Sequence, residues 1–118
     1  MPRDSAAYLQ DILGAIKNIS DFTKGMDLEK FSASRLVLDA VTWNLEVIGE
    51  ASKRISMDVK ERYPEAEWSK IAGLRNILAH AYFGIDNEIL WDIVENKLLP
   101  LKKVVERALR ETNGRILQ

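Results

Sequence analysis

The apolar positions of this chain recur with a helical period from one end to the other, and no stretch alternates as a half-buried strand would. Between residues 5 and 22, Tyr8, Ile12, Ala15, Ile16 and Ile19 fall on one stripe, with Asp4 or Ser5 placed to cap the helix. TKGMD (23–27) reads as a turn, with Gly25 just past the helix end. A second helix is expected from Leu28 or Ser34 to Ser56. At about 100° per residue, Leu36, Val37, Ala40, Val41, Trp43, Leu45, Val47, Ile48, Ala51 and Ile55 cover more than half of its circumference. Asp39, Glu46 and Glu50 share the narrow polar strip that is left. A helix that apolar is either central or lies at a subunit interface. Asn44 falls in the middle of the apolar face. A buried amide costs a few kcal/mol unless it is bonded, so Asn44 is either a satisfied core residue or part of a site.

MDVKERYPEAEW reads as a short helix broken at Pro64. The third long element is expected from Trp68 to Tyr82, with Ile71, Leu74 and Leu78 as its core stripe. Gly73 inside it costs ~1 kcal/mol relative to alanine, which predicts a close helix–helix approach there. FGID (83–86) is an exit turn, and Asp86 is placed to cap the next helix. That helix is expected from about Asn87 to Arg110, with Leu90, Ile93, Val94, Leu98, Leu101, Val104, Val105 and Ala108 on its apolar face. Pro100 either kinks it or starts a new helix after Leu98 or Leu99. The tail TNGRILQ is expected to fray. The pattern predicts an all-α fold, an antiparallel bundle of four to five helices in a single domain over residues 1–118. In it the first, second and last helices form a scaffold for the segment 68–82.

Composition narrows the picture. With 118 residues, 47% hydrophobic and 30% charged, the chain is a globular domain and not a disordered one. No run approaches the ~20 apolar residues of a membrane span, and the N-terminus has no apolar signal core, so a cytoplasmic location is expected. The absence of cysteine excludes disulfides and thiolate metal sites, and a single histidine excludes a multi-histidine zinc site within one chain. No cofactor and no metal are expected. The net charge of −1 gives no bulk attraction to nucleic acid. The distribution is uneven, however: residues 51–82 carry six basic and four acidic side chains, and residues 97–118 carry six and two. A polyanion would approach one of these regions. Lys53, Arg54, Arg62 and Lys70 are the candidates near the third helix, each also a plausible solvated surface charge.

The octapeptide RNILAHAY (75–82) holds the one histidine. On a continuous helix Arg75 and His80 point about 140° apart, Asn76 and His80 stack as i,i+4 neighbours, and Arg75 and Tyr82 share a face. Asn76 could set the ring orientation of His80 by a hydrogen bond. Histidine moves protons at neutral pH, and arginine grips phosphate in a planar, bidentate way and stabilises charge on a pentacoordinate phosphorus. Together they can cleave RNA without a metal, using the 2′-hydroxyl that DNA lacks. One histidine cannot easily serve as both acid and base, and a symmetric pair of chains would supply two. The plainer reading is a histidine that caps a helix C-terminus.

Arg75-x4-His80-x-Tyr82, with Asn76 after the arginine, resembles the signature of the HEPN superfamily, and more narrowly the HepT-like family. The resemblance extends over DAVTWNLEVIGEASKRI (39–55), WSKIAGLRNILAHAYFGID (68–86) and LWDIVENKLLPLK (90–102), and so over most of the chain. It implies an all-α bundle that forms a symmetric dimer, with the motifs of both copies in a shared cleft. It implies a metal-independent ribonuclease toxin of a toxin–antitoxin module, with RNA as substrate. The implied partner is an MntA-like minimal nucleotidyltransferase that neutralises the toxin by transferring AMP to Tyr82. Carried onto this chain, Arg75 and His80 are catalytic, Asn76 supports them, and Tyr82 is the AMP acceptor. Asn44 and Glu50 are possible cleft residues. The rival expectation is a non-catalytic subunit that docks a nucleotidyltransferase or binds nucleotide, and a purely structural bundle is a third.

Overall fold

The computed structural model describes residues 4–74, 76–78 and 86–116, with side chains up to residue 112. Among them there is no strand. In chain order the elements are α1 (Ser5–Thr23), α2 (Leu28–Ala33), α3 (Arg35–Arg54), α4 (Met57–Arg62), a 3-10 turn (Pro64–Ala66), α5 (Trp68–Ala72), α6 (Asn87–Asp92), a π-helical segment (Ile93–Lys97) and α7 (Leu98–Ile116). Residues 74 and 76–78 are also helical.

Local chemistry places most of these boundaries. The N–H of Ala7 donates to Asp4 Oδ1 (3.0 Å), which starts α1. Gly25 takes φ 76°, the left-handed region that a side chain resists, so α1 ends in a tight turn. Asp27 caps α2 by accepting from the Lys30 N–H (2.8 Å). Of the two expected starts of the second helix, Ser34 is the one observed: it leaves the helical region and caps α3 by accepting from the Val37 N–H (3.2 Å), and Leu28–Ala33 is a separate short helix. Asp86 occupies the cap position of α6, but its side chain makes no capping bond.

Two elements depart from their sequence expectation. The segment 68–82 is not one helix from its start: α5 closes at Gly73, whose N–H is shared between the carbonyls of Ser69 and Lys70 (both 3.1 Å). A Cβ on Gly73 would meet Lys70 O at 3.3 Å, so the crowding there comes from its own turn and not from a neighbouring helix. The interhelical glycine is Gly49, where a Cβ would stand 3.7 Å from Ile71 O across the α3–α5 contact. Pro100 sits in the first turn of α7, directly after the π segment. Proline has no N–H and its ring presses on the carbonyl four residues back, here Asn96, and a wider turn upstream relieves that clash. Of the tail expected to fray, residues 112–116 continue α7 as helix, and residues 117–118 lie outside the described residues.

Side-chain pairings give the helix directions. Ser56 N–H donates to Ser5 Oγ (3.1 Å), and Asn18 Nδ2 donates to Asn44 Oδ1 (3.1 Å), so α1 and α3 run antiparallel. The far end of α7 meets residues 63–65, and α7 packs along α1. The core lies between these three: Leu9, Ile12, Ile16 and Ile19 from α1, Val41, Leu45 and Ile48 from α3, and Leu101, Val105 and Ala108 from α7. Phe31 of α2 packs against Trp91 of α6 with ring centroids 5.1 Å apart. The fold is therefore an all-α bundle in which α1 packs against both α3 and α7. No described helix is long and apolar enough to cross a membrane.

Candidate functional site

Arg75, His80 and Tyr82 lie outside the described residues, and the site is built here from what flanks them. Leu74 and Leu78 are buried at 9% exposure each and turn inward, while Asn76, between them, is exposed. The Asn76 N–H donates to Gly73 O (3.1 Å), so the helix resumes directly after the glycine. The segment lies against α3, where Leu45, Gly49 and Lys53 share a narrow crevice with Ala72, Leu74 and Leu78. On the opposite flank of α3 a wider cleft of about 290 Å³ opens toward α1, lined by Tyr8, Asp11, Trp43, Val47 and Arg54 among others. Glu46 and Glu50 line both, so the polar strip of α3 forms the ridge between the two openings.

Asn44 points elsewhere. It is 6% exposed in the α1–α3 contact, its Nδ2 donating to Ala40 O (2.8 Å) and its Oδ1 accepting from Asn18. Both ends of the amide are satisfied, which removes the cost of burying it.

The cations near the segment are mostly engaged. Lys53 pairs with Glu50 (3.6 Å), Arg62 with Asp58 (3.2 Å) and Lys70 with Glu67 (3.2 Å), all partly exposed pairs worth at most ~1 kcal/mol each. A polyphosphate could compete for any of them at little cost. Arg54 makes no ion pair among the described residues and borders the wider cleft.

A second feature, which hydrophobic periodicity could not show, positions the start of α5. The indole N–H of Trp68 donates to Tyr63 O (3.0 Å). The Tyr63 hydroxyl donates to Glu111 of α7, and Arg107 lies over the Tyr63 ring (5.2 Å) while bonding Glu65 (2.8 Å). This clasp ties the turn before α5 to the far end of the last helix. Burial, then the hydrogen bond to Glu111, raises the Tyr63 phenol above its ordinary value of 10.0. The fold thus favours the protonated phenol. The stability this lends is complete below pH ~10 and is lost as pH climbs through the raised value. In an absorbance titration the Tyr63 phenol is expected to ionise later than a free phenol. Tyr63→Phe is expected to diminish the late part of the titration, and a curve whose late part the substitution leaves unchanged would refute the assignment.

A family model described as ribonuclease HepT-like matches residues 12–108. The chain belongs to the HepT-like ribonuclease family. A HepT-like relative from Methanocaldococcus jannaschii, named provisionally as an RNase, is 44% identical over 88% of this chain and 95% of its own length. A protein of Thermococcus cleftensis with the name "Probable ribonuclease HepT" is 41% identical over 91% and 97%. A third, from Caldanaerobacter subterraneus and also named provisionally as an RNase, is 32% identical over 88% and 93%. No solved structure matches the chain. The HepT-like match covers α1 from Ile12, all of α3 and the whole octapeptide, and it ends inside α7.

Proposed function

We propose that this HepT-like chain is an endoribonuclease toxin of a toxin–antitoxin pair, acting at a site shared by two copies and silenced by adenylylation of Tyr82. The observation that carries the reading is the complete set Arg75, Asn76, His80 and Tyr82 within a chain of the HepT-like family. His80 takes the proton of a ribose 2′-hydroxyl, whose oxygen attacks the adjacent phosphorus. The P–O5′ bond breaks, and His80 of a second copy returns a proton to the leaving oxygen. The products are a 2′,3′-cyclic phosphate and a 5′-hydroxyl. Arg75 steadies the phosphorane charge, a task that leaves no step requiring a metal ion. Asn76 orients His80. A nucleotidyltransferase partner, with ATP, would place AMP on the Tyr82 oxygen and release pyrophosphate. The added phosphate and bulk then occupy the place of an RNA phosphate beside Arg75.

A second reading has one observation in its favour. The wider cleft is bordered by Asp11, Glu46 and Glu50, which repel RNA and suit a basic protein surface, as a docking subunit would require.

Both readings meet one experiment. The purified chain is expected to cut single-stranded RNA in excess EDTA and to leave DNA of the same sequence intact. Co-expressed with its nucleotidyltransferase partner, its Tyr82 peptide is expected to gain mass in whole AMP units as cleavage stops. RNA left intact by the unmodified chain would favour the docking subunit, and an unchanged Tyr82 peptide would remove the proposed switch.

A further inference from the structure

Helix α5, which leads into the octapeptide, begins differently from α1, α2 and α3. Those three start on a side chain that accepts a backbone N–H: Asp4, Asp27 and Ser34. At the start of α5 stands Glu67, whose side chain makes no capping bond. Its backbone takes φ 53° and ψ 54°, the left-handed conformation that a side chain resists. Such strain persists only where the surroundings over-determine it, and it gathers at functional sites. Here the surroundings are the clasp. The Trp68 indole N–H donates to Tyr63 O, the Tyr63 hydroxyl donates to Glu111, and Arg107 covers the Tyr63 ring while bonding Glu65. The turn on which α5 starts is thereby referred to α7, whose Leu101, Val105 and Ala108 belong to the core.

We propose that Trp68, Tyr63 and Glu111 are positioning residues for RNA cleavage, fixing the direction in which α5 carries the octapeptide. The proposal rests on the reading of the octapeptide as the catalytic segment and adds how the fold aims it. Burial alone does not aim a helix. Ile71, Leu74 and Leu78 hold the segment down on α3. Apolar contact is non-directional, however, and tolerates a change of tilt. Hydrogen bonds are directional, and the bond from Trp68 sits at the first residue of the helix. Leu74 lies about 9 Å further along, so a tilt of about 10° at Trp68 moves it by about 1.5 Å. A reacting group misplaced by about 1 Å can lose about a hundredfold in rate.

Glu111 separates aiming from mere stability. It is exposed on the far end of α7, and no core residue depends on its side chain. Its bond to Tyr63 reaches α5 only through the Tyr63 backbone and the Trp68 indole.

Cleavage of a labelled single-stranded RNA by the full chain, well below its melting temperature, tests this. Glu111→Ala and Tyr63→Phe are each expected to lower kcat by roughly 10–100-fold with KM within about threefold. Their circular dichroism is expected to match the wild type. Both remove the same link, so the double variant is expected to fall no further than either alone. Glu111→Gln, whose amide oxygen still accepts from the phenol, is expected to recover most of the rate. Hydrogen exchange reads the same link without RNA: Glu111→Ala is expected to quicken exchange in α5 and to leave α1 unchanged.

A Glu111→Ala chain with the wild-type kcat, beside an inactive His80→Ala, would overturn the positioning role and leave the nuclease standing. So would a Glu111→Gln chain as slow as Glu111→Ala, or single losses that multiply in the double variant. Exchange left unchanged in α5, or quickened equally in α1 as a general loss of stability would do, overturns it too. A wild type that leaves RNA intact overturns it together with the nuclease reading.

Discussion

Replacing His80 with alanine is expected to lower the rate of RNA cleavage by roughly 10²–10⁴-fold, the range that one positioned general acid or base contributes. Arg75→Ala is expected to cost a similar factor, about 10²–10³, through loss of charge stabilisation at phosphorus. Neither substitution should unfold the bundle, since the core is built from α1, α3 and α7. Circular dichroism and melting temperature are therefore expected to stay near the wild type. Initial rates on a labelled single-stranded RNA in EDTA measure the effect. Growth arrest on expression, which both substitutions should relieve, gives an independent reading in cells. Lys70→Ala provides the contrast: its side chain is 76% exposed and paired with Glu67, so the rate is expected to stay within about threefold. Equal cleavage by His80→Ala and the wild type would end the catalytic reading.

The second large effect is on stability. Leu45 is fully buried on α3 and lines the crevice shared with Leu74 and Leu78. Leu45→Ala is expected to cost about 2–5 kcal/mol, the transfer term plus the cavity left behind. Domains of this size hold only about 5–15 kcal/mol in total. A fall in melting temperature of roughly 10–20 °C is expected, with the urea midpoint moving in step. The cavity would open directly beneath the segment that leads into the octapeptide, so cleavage should fall before unfolding is complete. A cost below about 1 kcal/mol would mean that the neighbours collapse into the gap.

Sequence pattern was a good guide wherever the deciding interaction is local. Asp4 and Gly25 do at the ends of α1 what their chemistry predicts, and the apolar stripes of α1, α3 and α7 are the core. It failed where the deciding partner is distant or where two local rules compete. The break at Ser34 was one of two options left open, settled by a side-chain cap that outweighs continuity of the helix. Gly73 was rightly noted as costly, but it closes α5 on itself, and the close approach belongs to Gly49. Asn44 could not be resolved without Asn18, a partner 26 residues away. The wheel showed that α3 is too apolar for one face, but only the packed bundle shows that Leu36 and Trp43 are the residues left outside. For the proposed site, Arg75, Asn76, His80 and Tyr82 are legible as candidates in the spacing of the octapeptide, while the carboxylate ridge and the clasp around Tyr63 needed three dimensions. Tyr63 and Glu111 are 48 residues apart.

That separation has a consequence for how the chain is made. Residues 63–68 leave the ribosome well before residues 107–111. Until the last helix emerges, the Tyr63 hydroxyl has water for a partner, and the turn that launches α5 lacks its tie to α7. The helix that leads into the octapeptide is thus fastened only after residues 107–111 have been made, and domains complete their folding as such units. A nuclease finished earlier would be born beside the messenger and ribosomal RNA that produced it. In this chain the order of synthesis delays the assembly of that scaffold until α7 has emerged.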